Sequence, residues 1–211
     1  MHFTKQHLWA LVASASLTLA GCGSGSSDKK TEAAPAEPSR VSLTGLAVKG
    51  VMAGADITVT SLDGMTVYGA TVTGSDVTYS LADMEIPLNT PVLVSMTTNA
   101  ATLLTCDAAA GCQNGDTLES FGAKYTYNDS SFKMTAILGG VTTDVASASL
   151  MVTPLTHMAA ERAIKENKTT AAEITAVNKA TAVLLGLDNV DIATVVPADI
   201  TDSGSSSATN N

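Results

Sequence analysis

The segment GADITVTSLDG, residues 54–64, shows the pattern on which the predicted fold depends. Its apolar residues Ile57 and Val59 alternate with Thr58 and Thr60, and an Asp-Gly turn signal follows. Alternation with a period of two places apolar side chains on one face of a β-strand. The same alternation recurs in three further runs, at Val77-Tyr79-Leu81, Val92-Val94-Met96 and Phe132-Met134-Ala136-Leu138. Residues 41–152 are therefore predicted to form a β-sandwich, which makes the protein mainly β.

The first run of this region, which starts at Val41, is interrupted by Gly45. Its apolar positions move from 41 and 43 to 46 and 48. One additional residue in a strand would explain this change of face, so a β-bulge is predicted at Gly45.

Helix signals replace the strand pattern after residue 152. Thr153-Pro154 predicts an N-cap followed by proline at the first helical position, and this helix is expected to run to about Asn167. Residues 153–200 are predicted to form a helical hairpin packed on the sandwich, and the polar residues 201–211 a disordered tail.

The second helix of the hairpin has signals at both ends. Thr170 and Glu173 have the spacing of a capping box, and Gly186 is expected to end the helix with Leu187 in hydrophobic contact. Asn178 falls within the apolar stripe of this helix, so its amide is expected to hydrogen-bond to a loop backbone.

The N-terminal segment predicts export from the cytoplasm. Leu8 to Ala20 is an apolar stretch of 13 residues after a weakly basic start. A bilayer requires about 20 apolar residues, so this stretch is too short to span it but has the length of a signal-peptide core. Residues 1–21 are therefore predicted to be a signal peptide.

The residues Leu19-Ala20-Gly21-Cys22 resemble the lipobox of bacterial lipoproteins. The resemblance implies cleavage before Cys22 and attachment of a diacylglycerol to its thiol, which anchors the chain stably in a membrane. The resemblance also implies that an aspartate just after the cysteine favours the inner membrane. Gly23 and Ser24 stand there instead, so the outer membrane of the cell envelope is the expected location. Residues 22–40 lack large apolar residues and are predicted to form a lipidated N-terminus and flexible linker.

The segment from Leu43 to Met96 resembles the carboxypeptidase-regulatory-like or prealbumin-like modules of bacterial surface proteins. That resemblance implies an Ig-like or prealbumin-like β-sandwich without catalytic residues. The modules usually carry Asp-Gly before their tyrosine, whereas this chain has Ser75-Asp76-Val77-Thr78 before Tyr79, so the match is partial. Residues 152–201 are similar to the helical segment that follows such modules, which usually leads into more chain, so this chain is expected to be a short or truncated version.

Cys106 and Cys112 enclose the five residues DAAAG. Thiols oxidise outside the cytoplasm, so a disulfide between these two residues is predicted. A zinc site needs about four ligands, and the chain beyond residue 22 has two cysteines and one histidine, His157. Redox catalysis normally uses the shorter C-x-x-C spacing, so a structural bridge is favoured over either alternative.

Residues that carry catalysis or bind metals are few. His157 and Glu161 stand at i and i+4, so both could face one ligand. A metal site normally needs further protein ligands or open water positions, so a pair on the helix surface or a capped core histidine is favoured. A Ser-His-Asp triad would have to use His157, and the sequence has no G-x-S-x-G motif, so a hydrolase is disfavoured. Asp188 to Asp191 offers oxygen ligands for calcium but lacks the EF-hand spacing, so turn formation is favoured there. No catalytic residue, metal or cofactor is therefore predicted.

The net charge of −9 disfavours nucleic acid as a partner, because an acidic surface repels phosphates. The predicted function is that of a non-enzymatic cell-envelope lipoprotein, anchored in the membrane through Cys22 and contacting other envelope or surface proteins. The alternative is a carrier that binds a small apolar ligand between the sandwich and the helices.

Overall fold

The computed structural model describes residues 39–127, 129–142 and 147–198. The predicted signal peptide (1–21), the predicted lipidation site Cys22, most of the predicted linker and the predicted tail (201–211) lie outside these ranges. The described residues all belong to one compact unit, residues 35–211.

The described part of the chain is mainly β with two helices at its C-terminal end. Its strands are β1 Ser39–Leu46, β2 Val51–Ala53, β3 Asp56–Ser61, β4 Val67–Val72, β5 Thr78–Ile86, β6 Val92–Thr97, β7 Leu103–Thr105, β8 Cys112–Asn114, β9 Thr117–Glu119, β10 Lys124–Thr126, β11 Lys133–Leu138 and β12 Ser147–Ser149. Its helices are α1 Pro154–Lys165 and α2 Ala171–Leu184. None of these helices is long and apolar enough to cross a bilayer.

Two sheets enclose the main core. One has the strand order β12-β1-β5 and the other β11-β6-β3-β4. Buried side chains from both sheets form one cluster, which includes Leu43, Ile57, Val59, Leu81 and Val94. The alternating apolar residues seen in the sequence therefore point between the sheets, and the predicted β-sandwich with a helical hairpin is consistent with the observed fold.

The first strand begins at Ser39, two residues before the predicted boundary at Val41. It pairs antiparallel with β5 and parallel with β12, where Leu43 stands opposite Ala148. Two smaller sheets, β10-β7-β2 and β8-β9, lie outside the two main sheets.

The β-bulge predicted at Gly45 lies elsewhere. The register between β1 and β5 shifts between Val41 and Leu43, and the additional residue is in β5. Asp83 of β5 has a φ of 54°, in the left-handed region that aspartate tolerates better than most residues. The irregularity is therefore in the partner strand, a location that the apolar pattern of β1 alone does not indicate.

Gly45 is required for a close approach of two backbones. A Cβ at this position would overlap the carbonyl oxygen of Leu150 and would lie 2.8 Å from the Tyr79 hydroxyl oxygen. Glycine inside a strand indicates either a bulge or a close approach, and only the tertiary structure distinguishes them.

Both predicted helix starts are confirmed. Each helix begins with a capping box, formed by Thr153 with Thr156 in α1 and by Thr170 with Glu173 in α2. The hydrogen bond from the Thr170 hydroxyl, with those from the Thr169 and Thr170 backbones, lowers the pKa of the Glu173 carboxyl. The side chains that the sequence supplies thus satisfy the amides at each helix start.

The predicted end of α2 is also confirmed. Gly186 has a φ of 74°, and the Leu187 N–H donates to the Ala182 carbonyl at 2.9 Å. The Gly186 N–H donates to the Val183 carbonyl, which completes a Schellman motif.

The helices cover part of the outer face of the four-stranded sheet. Leu93 of β6 and Ile137 of β11 point away from the main core and pack with Ala159, Ala163 and Ile174. The period-two analysis did not identify Leu93 and Ile137 as core residues. Their strands are continuous apolar runs at these positions, a signal that a strand is buried on both faces.

Candidate functional site

A cleft of about 420 Å³ lies between α2, the end of β11 and the chain segment 188–194. Apolar side chains form much of its wall, among them Ile137, Leu138, Ile174 and Val190. Polar side chains also line it: Thr175, Asn178, Lys179, Asp188, Asn189, Asp191 and Thr194. An apolar wall with a few polar groups is typical of sites for small molecules.

The segment that forms one wall of the cleft is held by its own turns. The Asp191 carboxylate accepts hydrogen bonds from the Ala193 N–H at 3.1 Å and from the Thr194 hydroxyl at 2.9 Å. The Met151 N–H donates to the Ala193 carbonyl at 2.7 Å, which joins the segment to the sandwich. Asp191 therefore forms a turn, as favoured from the sequence, and the cleft has a fixed wall.

Asn178 lies in the wall of the cleft and is half-buried. The predicted hydrogen bond from its amide to a loop backbone is not present with any described residue. Its neighbours along the helix, Ile174 and Val177, are buried, so the amide lies at the border between the apolar floor and solvent. It offers a donor and an acceptor to a molecule in the cleft.

His157 lies outside the cleft, at the contact between α1 and β11. Its Nδ1 is 2.9 Å from the hydroxyl oxygen of Thr135, a buried residue of β11, and 3.9 Å from Glu161 Oε1. The described residues contain no group of three or more histidine, cysteine, aspartate or glutamate side chains arranged to hold a metal. His157 therefore joins α1 to the sheet, and the i,i+4 pair with Glu161 is a partly exposed helix-surface contact.

Cys106 and Cys112 form a disulfide, as predicted, with their Cα atoms 5.6 Å apart. Cys106 is fully buried. Its N–H donates to the Ala123 carbonyl and its carbonyl accepts from the Gly122 N–H, both at 2.8 Å. The bridge therefore fixes the start of the β8–β9 hairpin to the body of the protein.

Comparison with known proteins found no matching family model, no matching curated protein and no matching solved structure.

Proposed function

We propose that this chain is a non-enzymatic lipoprotein of the bacterial cell envelope. Its apolar segment, Leu8 to Ala20, directs export, and the thiol of Cys22 carries the lipid that anchors the chain in the outer membrane. The linker then holds the folded part away from the bilayer, where it contacts other envelope or surface proteins.

The observation that carries this proposal is the pairing of Cys106 with Cys112 in a chain of three cysteines. A disulfide persists in an oxidising compartment, which agrees with export. The pairing leaves Cys22 as the odd cysteine, and it stands at the end of the lipobox-like sequence.

The conformation of Val77 supports the assignment of the sandwich to an Ig-like or prealbumin-like module. Val77 has a φ of 60°, in the left-handed region that favours glycine. It lies within Ser75 to Thr78, the residues that this chain has in place of the Asp-Gly of the resembling modules. The side chain of Asp76 accepts hydrogen bonds from the Thr78 N–H and hydroxyl, which stabilises this turn.

The lipid anchor is tested by replacing Cys22 with serine in cells supplied with an alkyne-labelled fatty acid. We expect C22S to lose the label and to leave the membrane fraction. The matched control is C112S, which removes a different cysteine and should keep both the label and membrane retention. Unchanged labelling of C22S would contradict the proposal. Proximity labelling in intact cells with the lipidated protein then identifies the envelope proteins that it contacts.

The second candidate function is the binding of a small apolar ligand in the cleft between α2 and the sandwich. The observation in its favour is the cleft volume of about 420 Å³, within the range of roughly 300–1,000 Å³ typical of ligand sites. We expect N-phenyl-1-naphthylamine to fluoresce on binding, and N178W to abolish the signal by filling the cleft. A176W adds the same side chain on the exposed face of α2 and should leave binding unchanged. Equal binding by both variants would exclude this cleft.

A further inference from the structure

A second cavity, of about 550 Å³, lies beside the disulfide. Its wall comes from the end of β1, the turn into β2, the turn before β5, the strands β7 and β10, and Pro197-Ala198. None of the described residues that line the cleft beside α2 contributes to it.

The floor of this cavity is aliphatic. Leu46, Val48, Val51 and Val77 line it, and Val77 is buried. The Val77 N–H donates to the Gly74 carbonyl, and its carbonyl accepts from the Ala47 N–H, both at 3.1 Å. These bonds hold the valine in its left-handed conformation, and its side chain forms part of the cavity floor.

Three polar side chains stand together on the wall. Thr105 is 94% buried, since only 6% of its surface is exposed, yet its hydroxyl makes no hydrogen bond to another described residue. No fully enclosed polar side-chain atom of the described residues lacks a partner, so this hydroxyl keeps some accessible surface, and Thr105 lines the cavity. Lys124 is the cross-strand partner of Thr105, and Asp107 lies two residues after Thr105 in the chain.

Two of the three charged side chains at the cavity, the exposed Lys124 and Asp107, have no ion-pair partner among the described residues. Neither the Lys124 ammonium nor the Asp107 carboxylate lies within 4.0 Å of an oppositely charged group among the described residues. Asp76, the other acid at the cavity, differs because its Oδ1 accepts from the Thr78 hydroxyl at 2.7 Å. The wall thus presents a lysine ammonium, an aspartate carboxylate and a threonine hydroxyl above an aliphatic floor, and none of the three has a partner among the described residues.

The disulfide positions these groups relative to one another. Cys106 stands between Thr105 and Asp107, and it is tied both to Cys112 and to the backbone at residues 122–123. The carboxylate of Asp107 lies over Gly50, whose Cβ position is 3.1 Å from Oδ2. The backbone that carries Thr105 and the exposed Asp107 is therefore held in place at this wall.

We propose that this cavity binds a small zwitterion with an aliphatic body, of the class of the aliphatic α-amino acids. Asp107 pairs with the ligand ammonium, Lys124 and the Thr105 hydroxyl bind the ligand carboxylate, and the aliphatic side chain lies on the valines. Charge-assisted hydrogen bonds supply the recognition, and burial of the apolar side chain adds affinity. The cavity volume falls within the range of sites for small molecules. This proposal does not depend on the lipid anchor.

The first test is calorimetric titration of the full chain at neutral pH with L-leucine. The matched ligands are 4-methylpentanoate, which lacks the ammonium, isoamylamine, which lacks the carboxylate, and glycine, which lacks the aliphatic body. We expect L-leucine to bind and each of the others to bind about tenfold more weakly or not at all, because each lacks one of the three contacts. Absence of L-leucine binding at millimolar concentration would overturn the proposal.

The second test uses single substitutions on the cavity wall. D107N, K124Q and T105V should each weaken L-leucine binding, the two charge variants by about tenfold or more. K133Q is the control, since it removes the same charge from an exposed lysine of β11 that does not line the cavity. Thermal denaturation of each variant establishes that it is folded. Binding that is equal in all four variants would assign the ligand to another site and overturn the proposal.

Discussion

The hydroxyl of Tyr79 donates a hydrogen bond of 2.6 Å to the backbone carbonyl of Leu150. Tyr79 is in β5, whereas Leu150 follows β12, on the other side of β1 in the same sheet. The bond crosses β1 at Gly45, the cross-strand partner of Tyr79. It therefore holds the end of the sandwich in place just before the chain enters the first helix.

Replacing Tyr79 with phenylalanine should lower the free energy of unfolding by about 1–3 kcal/mol. The reason is that the buried carbonyl of Leu150 loses its side-chain donor. Urea denaturation measures the change. Y68F is the control, because the partly buried Tyr68 makes no side-chain hydrogen bond to another described residue. This variant should lower the free energy of unfolding by much less than Y79F. Equal losses in the two variants would contradict a specific role for the Tyr79–Leu150 bond.

The same tyrosine predicts a dependence of stability on alkaline pH. Burial raises the pKa of Tyr79 well above its ordinary value of about 10. The unfolded chain therefore loses this proton first, so the stabilisation is complete below pH 10 and declines as the pH rises above it. Denaturation of the wild-type protein and Y79F at pH 8 and pH 11 measures the effect. We expect the difference in the free energy of unfolding between the two proteins to be smaller at pH 11 than at pH 8. An equal difference at both pH values would argue against the raised pKa of Tyr79.

Replacing Gly45 with alanine should destabilise the protein by more than about 3 kcal/mol. A Cβ there overlaps the Leu150 carbonyl oxygen, so β1 or the Leu150 backbone must move and the Tyr79 bond is disturbed. Gly64 is a useful comparison, because it has a φ of 73° and nothing within 4 Å of its Cβ position. G64A should cost only about 1–2 kcal/mol, the strain of the left-handed conformation. A G45A variant as stable as G64A would refute the close approach.

Replacing Val77 with glycine should be much less harmful than the same change at Val59. Both valines are buried, but only Val77 has a left-handed backbone. Glycine relieves about 1–2 kcal/mol of strain at Val77, which offsets much of the lost burial. At Val59, an extended residue of β3, the change to glycine removes a buried side chain and increases the backbone entropy of the unfolded state, and it relieves no strain. We expect V59G to be less stable than V77G by about 2 kcal/mol in urea denaturation; the reverse order would be incompatible with strain at Val77.

Removing the disulfide should lower the free energy of unfolding by about 2 kcal/mol. The chain-entropy model gives this value for a loop as short as that between Cys106 and Cys112. The double variant C106S/C112S and the reduced wild-type protein should unfold at similar denaturant concentrations, and reductant should not affect the variant. Mass spectrometry of the non-reduced protein should show the two cysteines linked. Alkylation of both Cys106 and Cys112 in the native, non-reduced protein would contradict the bridge.

The local sequence predicted much of the secondary structure, because the signals act over a few residues. Alternating Ile57 and Val59 indicated a strand, Thr170 with Glu173 indicated a helix start, and Gly186 indicated its end. The helix start and end are contacts between near neighbours in the chain and do not depend on distant residues, and the alternation of Ile57 and Val59 shows locally which face of the strand is apolar. The spacing of Cys106 and Cys112, read with the predicted export, was likewise enough to predict their bridge.

The tertiary structure alone decided which distant segments meet. A glycine within a strand, such as Gly45, is equally compatible with a bulge and with a close approach of two backbones. The position of the Leu150 carbonyl next to Gly45 shows that it is a close approach. The parallel pairing of β12 with β1 is not visible in the sequence, because residues 147–149 are Ser-Ala-Ser without an apolar pattern. The cavity beside the disulfide was equally hidden, since it joins residues from 46 to 198. Local patterns specify strands and caps, whereas cavities arise from packing between segments that are far apart in the chain.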